Sequence, residues 1–275
     1  MFIGVVSHPR SSFTVNQGSG GLAPLLAAEI RKYDWECLFS LNLINEFDVT
    51  GAELEASAFR KGIAEEVRLE RVWNRFLGVE PALRRRLFRL LRWMRLQSLW
   101  VRRSNAKEVR RLRNIELSHL SLMRNGLAQG ADWILILEDD ASAKNIADLA
   151  AGLDGIFSCE SPPAFVNLSH SFRLSDLGIS KLLFTHPVVR WFGPIPRDVL
   201  ASRLPATNTV CAILYRRGFL ENLVRKIDEI PVYPIVPIDW RVNQALMNLC
   251  ETGHINSGDC WFVEPAPINQ LSMHQ

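Results

Sequence analysis

Residues 133–142 read WILILEDDAS, an apolar run closed by three consecutive carboxylates, Glu138, Asp139 and Asp140. The run from Trp133 to Leu137 has the length of a strand and no polar alternation, the pattern of an interior strand covered on both faces. Carboxylates crowded at the end of such a strand repel one another and lose hydration, so they need a metal ion, basic partners or water. In α/β sheets ligands gather at the carboxyl ends of the strands, where this acidic run falls. If the extended geometry continues, Glu138 and Asp140 point to one side and Asp139 to the other.

Working outward, FIGVV (residues 2–6) reads as a first strand that breaks at SHPR, and LAPLLAAEIRKY as a helix with Pro24 in its first turn. A second strand is expected in WECLFSLNLI. A charged region of helical period then runs from about Gly51 to Arg113, with Gly78 and Pro81 as its break. NIELSHLSLMRNGLAQGA has the apolar spacing of a helix packed on a sheet, stopped at Gly126 or Gly130. Further strands are expected at 164–169 and 209–215, helices at 217–230 and 239–253, and a strand with a proline-punctuated tail in DCWFVEPAPINQ. Strands alternating with helices predict an α/β sandwich with a mostly parallel central sheet. One catalytic-sized domain over residues 1–275 is expected, carrying a helical basic insertion at about 55–113.

Composition narrows the class. The chain is 48% hydrophobic and 22% charged, which suits a globular fold rather than a disordered one. It has no apolar run near the roughly 18–20 residues of a spanning helix. MFIGVVSHPR lacks the pattern of a signal peptide. The five cysteines are scattered without C-x-x-C spacing, so small buried thiols in a reducing cytosol are expected and a zinc site is not.

Two hard oxygen ligands on one side, Glu138 and Asp140, suit Mn²⁺ or Mg²⁺, which complete their shells with water and substrate phosphates. A diphosphate leaving group is the natural partner of such an ion. The bland alternative is a solvated turn that caps a helix in ASAKNIADLAAGL, since acids are favoured at helix N-termini.

The stretch SHLSLMRNGLAQGADWILILEDDAS resembles the central motif of family 25 glycosyltransferases, the lipooligosaccharide-type galactosyltransferases. Ser118, His119 and Leu120 match its Ser-His-Leu helix, and Leu137 to Ala141 match its Leu-Glu-Asp-Asp-Ala strand end. TNTVCAILYRRGFLENLV and PIDWRVNQAL resemble later segments, so the similarity covers roughly residues 114–250. The resemblance implies a GT-A-like, Rossmann-related fold, Mn²⁺ or Mg²⁺ as cofactor, and inverting transfer of galactose or glucose. The implied partners are a UDP-hexose donor and a cell-envelope glycan or glycolipid acceptor. Asp140 would be the first metal ligand. Glu138 and Asp139 would share metal, ribose or diphosphate contacts. Ser7, His8 and Arg10 sit where such a fold holds the nucleotide. Asp239 is the candidate base, with a helix N-cap as its plain alternative. Two regions depart from the family, the opening FIGVVSHPRSSFTVNQGSGGL and the basic segment.

Other signals are weaker. NQGSGGLAPLL could bring backbone N–H groups to a phosphate but matches no phosphate-loop spacing. His119, among apolar neighbours, reads as a structural histidine. His254, Asp259 and His274 are candidates for a third metal or diphosphate contact. Arg173, Arg190, Arg197, Trp191 and Phe192 suit either acceptor contacts or loop anchoring.

The net charge of +3 hides an asymmetry. Between Arg84 and Arg113 stand eleven Arg and one Lys against Glu108, so 12 − 1 = +11, and the rest carries 3 − 11 = −8. Leu83, Leu87, Leu90, Leu91 and Met94 recur at helical spacing while Arg86, Arg89, Arg92 and Arg95 run alongside, with Trp93 between. Such a helix suits an anionic membrane surface, where each basic residue contributes about 1 kcal/mol. The protein is then expected to be cytoplasmic and peripheral on the inner face of the membrane. The alternatives are a helix packed on the domain with solvated or paired arginines, and a nucleic-acid contact. Two other functions compete with the transferase. One is a non-catalytic binding protein that uses the basic helix, and the weaker is a Mg²⁺-dependent phosphoryl enzyme, which lacks a D-x-D-x-T pattern.

Overall fold

The computed structural model describes residues 1–7, 21–43, 56–80, 82–83, 86–87, 90–91, 93–94, 105–171, 173–185, 191–207, 209–233 and 235–271. Of the residues singled out above, His8, Arg10, Pro81, Arg89, Arg92, Arg95, Arg190, His274 and the glycines of NQGSG lie outside this set.

The elements run β1 (Phe2–Ser7), α1 (Leu22–Ile30), β2 (Leu38–Leu43), α2 (Ala56–Leu77), α3 (Asn105–Ala128), β3 (Trp133–Glu138), β4 (Ala141–Ala143) and α4 (Ile146–Phe157). They continue with β5 (Phe165–Asn167), β6 (Leu183–Thr185), β7 (Asp198–Ser202), β8 (Ala212–Arg216), α5 (Arg217–Glu229), α6 (Ile238–Glu251), β9 (Cys260–Glu264) and β10 (Ile268–Gln270). Eight strands form one sheet in the order β2-β1-β3-β8-β5-β9-β7-β6. β1 pairs in parallel with β2 and β3, and β5 with β9. β8 runs against β3 and β5, and β7 against β9 and β6. Six of the eight strands, all but β8 and β7, therefore share one direction, but three of the seven pairings are parallel and four antiparallel, so the expected α/β sheet is a mixed one.

Strand alternation sorts the core into two layers. From β3, Trp133, Leu135 and Leu137 join α1 and α4 on one face, through Leu26, Leu149, Leu153 and Ile156. Ile134 and Ile136 join α2, α3, α5 and α6 on the other, through Trp73, Met123, Leu223 and Leu246. Burying one such side chain stabilises the fold by about 1.5–3 kcal/mol, and a strand buried on both faces has no place for a polar residue before its end.

Gly126 does not stop α3. A Cβ there would come within 2.8 Å of Ile134 and 2.9 Å of Phe2, so the glycine lets the helix lie close on β1 and β3. The stop is Gly130, at φ +73°.

Within the region expected as an insertion at about 55–113, the described helices α2 and α3 pack against the sheet's helices. α2 belongs to the core: Leu69, Trp73 and Leu77 are buried, and Trp73 meets Trp240 of α6 edge to face at 5.9 Å. The end of the basic segment is the start of α3, where Arg113 bonds Glu116 at 2.9 Å and Glu116 pairs with the buried Arg241 of α6. Arg241 also donates to the carbonyls of Ile227 (2.7 Å) and Ile230 (2.9 Å), tying α3, α5 and α6 together. Burial lowers the Arg241 guanidinium to about 10, with the neighbouring Arg113 adding to the effect.

Candidate functional site

The acidic run sits at the carboxyl end of β3. The chain turns at Asp139–Asp140 instead of staying extended, then enters β4, which pairs antiparallel with β10. Despite the turn, Glu138 and Asp140 converge as alternation would have them. Each offers an oxygen, and Cys211 its sulfur, with the ligand atoms all within 4.8 Å of one another. Asp139 faces elsewhere: its Oδ2 accepts from the Ser7 hydroxyl at 3.4 Å, across the ends of β1 and β3.

Each position follows from a local rule. The antiparallel pairing of β8 with β3 places the start of one strand beside the end of the other, and the Glu138 N–H donates to the Cys211 carbonyl at 2.8 Å. The Cys211 thiol lies 3.8 Å from Asp140 Oδ1. Burial first, then the charges of Glu138 and Asp140, push that thiol well above the usual cysteine range. Glu138 points to the α3 face of the sheet, where its Oε1 lies 3.4 Å from Nε2 of the buried His119. Its Oε2 accepts from the Gln270 amide at 3.2 Å, and the Gln270 carbonyl accepts from Ser171 at 2.8 Å. The Leu271 N–H donates to the Asp140 carbonyl at 3.0 Å, so β10 lies over the turn.

The loop before β8 is held by α6. Asn243 and Thr207 exchange two bonds, Thr207 N–H to Oδ1 at 3.0 Å and Nδ2 to the Thr207 carbonyl at 2.9 Å. The Thr209 hydroxyl then accepts from the Cys211 N–H at 3.1 Å. Asp239 stands four residues before Asn243, one turn nearer the helix N-terminus on the same face. Asp239 is not the N-cap. Pro237 holds that position, and Asp239 lies in the first turn with Oδ1 accepting from the Trp240 N–H at 3.1 Å.

The reading of the acids as a helix cap is overturned. α4 begins only at Ile146, and Asn145 caps it by accepting from the Asp148 N–H at 2.9 Å. His254 and Asp259 are also placed apart from the site. They precede β9, which runs in the direction of β3, so they lie at the opposite end of the sheet from Glu138. There His254 meets the Thr252 hydroxyl (2.9 Å) and Asp259 accepts from the Asn256 N–H (2.8 Å). Trp191 and Arg197 anchor a loop: both bond Asp148, at 3.1 and 3.0 Å. Phe192 and Arg173 are exposed.

The two site residues that sequence reasoning missed are Cys211 and Gln270. Cys211 carried only the spacing of an isolated thiol. Its role depends on strand order, and Gln270 had no signal at all. His119 is structural in its burial, as expected, yet it also touches the acidic cluster.

As a donor set, two carboxylates and a thiol within one such span could hold a single divalent cation, through Glu138, Asp140 and Cys211. The carboxylates suit Mn²⁺ or Mg²⁺, and the thiol tilts the set toward the softer ion. No protein-family model matches the chain, and no curated protein sequence matches it.

Proposed function

We propose that the protein is a metal-dependent, inverting glycosyltransferase of GT-A-like architecture. It would move a hexose from a UDP-sugar to a cell-envelope glycan or glycolipid. The observation that carries this reading is the convergence of Glu138, Asp140 and Cys211 at the carboxyl end of β3. That end opens beside β1, where Ser7 and Asp139 meet. Ligands of α/β sheets collect at such strand ends, and a nucleotide diphosphate needs both an ion and hydroxyl-binding acids there. An ion held by Glu138, Asp140 and Cys211 would neutralise the charge that develops on the departing diphosphate.

The remaining chemistry falls to this chain's own residues. Asp239 accepts the proton of the acceptor hydroxyl, whose oxygen forms its bond to the anomeric carbon from the face opposite the diphosphate. The bond from that carbon to the diphosphate oxygen breaks, and UDP leaves with the electron pair. The Asn243–Thr207 link supports this role, because it turns the Asp239 face of α6 toward the loop that carries Cys211. His119 and Gln270 fix the Glu138 carboxylate between them.

The test is equilibrium binding of UDP with and without Mn²⁺. The expected result is tightening by at least about tenfold, close to 1.4 kcal/mol, lost in Asp140→Ala. Metal-independent binding, or binding unchanged in that variant, overturns the reading. A screen of UDP-sugars by metal-dependent hydrolysis then identifies the hexose.

A further inference from the structure

Part of the basic segment does not pack on the domain. Residues 83, 86, 87, 90, 91, 93 and 94 are helical. Leu83 is 81% exposed, Leu87 54%, Leu91 53%, Leu90 50%, Met94 46% and Trp93 41%. Single exposed leucines are ordinary on a protein surface, but six large apolar side chains within twelve positions of one helical stretch are not. At 100° per residue, Leu83, Leu87, Leu90, Leu91 and Met94 fall within an arc of about 100°. Arg86 and Trp93 lie together beside one edge of that arc. Arg86 pairs with Glu80 at 2.8 Å, an exposed contact that contributes little and leaves the stretch strongly basic.

We propose that this face docks in the plane of an anionic phospholipid bilayer, with the leucines and Met94 among the acyl chains and Trp93 at the headgroup level. The proposal stands apart from the transferase reading and does not depend on it. Two observations select the occupant. The sequence from Arg84 to Arg113 carries twelve basic residues against one acid, which calls for a negatively charged partner. The exposed apolar arc calls for a hydrocarbon phase, and tryptophan is favoured at the boundary between the two. A nucleic acid would satisfy the charge and leave the leucines in water. Among the described residues no helix is long and apolar enough to cross a membrane.

The experiment is flotation of the full chain with vesicles of equal parts phosphatidylglycerol and phosphatidylcholine, against pure phosphatidylcholine, at low salt. The protein should float with the anionic vesicles at least about tenfold more than with the neutral ones. The double variant Leu87→Glu/Leu91→Glu changes only exposed side chains, so it should keep the wild-type thermal melt and lose the association. Failure of the wild type to float, or equal flotation of the double variant, overturns the proposal. So does displacement from the vesicles by a single-stranded RNA that the double variant still binds, which would assign the surface to nucleic acid.

Discussion

His119 Nε2 lies 3.4 Å from Glu138 Oε1, joining the middle of α3 to the last residue of β3. The imidazole is fully buried and the carboxylate half-buried. Partners of this kind orient a ligating carboxylate from behind. His119→Ala should cost about 1–3 kcal/mol of stability in urea denaturation, because it opens a cavity and removes one of the partners of the Glu138 carboxylate. His119→Gln should recover part of that loss. In the alanine variant, Mn²⁺-dependent UDP binding should weaken by roughly 10–100-fold. Unchanged stability and unchanged binding would show that the contact does nothing.

Asp148 is a buried acid with a defined task. Its Oδ1 accepts from Trp191 Nε1 and the Ile195 N–H, and its Oδ2 from Arg197 Nε. The Asp148 side chain is 1% exposed and that of Arg197 8%. Asp148→Ala should destabilise the protein by about 3–5 kcal/mol, since it strands a largely buried guanidinium. Arg197→Met should cost less, with Asp148 keeping its two other donors. Equal losses in a denaturation series would contradict this account.

Glycines separate packing from propensity. Gly126→Ala drives a methyl group toward Ile134 and Phe2 and should lower stability by about 1–3 kcal/mol. Gly218, near the start of α5, has nothing within 4 Å of the added Cβ. Gly218→Ala should stabilise by up to about 1 kcal/mol. Thermal melts of the two variants should move in opposite directions.

The thiols divide by exposure and by acidity. Burial raises the Cys37 and Cys211 thiols, Cys211 the more, and lifts Cys260 to about 12. A raised value leaves less thiolate at any pH below it, and the thiolate is the reactive form. Alkylation of the native protein at pH 8 should therefore label Cys159, which is half-buried, well before these three. Mass spectrometry after brief iodoacetamide treatment reads the order, and early labelling of Cys211 would contradict its packing.

Strand β3 and its acidic end were legible because a doubly buried strand admits no polar residue until it leaves the core. The helices were legible for a related reason: each must keep one apolar stripe. What escaped were short elements whose existence depends on a neighbour. β4, β6 and β10 are three residues each, and β7 lies in text that reads as loop. The direction of β8 was equally hidden, since a sequence shows a strand but not its pairing, and Cys211 went unnoticed for that reason. His254 and Asp259 were plausible ligands by type alone, and the end of the sheet on which they fall depends on strand direction.

Gln270 reaches Glu138 across 132 positions of sequence. A ribosome releases His119, the three acids and Cys211 well before the strand that covers the acidic turn is made. Strand β9, an interior strand of the eight-stranded sheet, ends at Glu264, with three residues between it and β10. The centre of the sheet and the cover over the acidic turn therefore wait on the same last stretch of chain, and neither is finished without the other's neighbour in sequence.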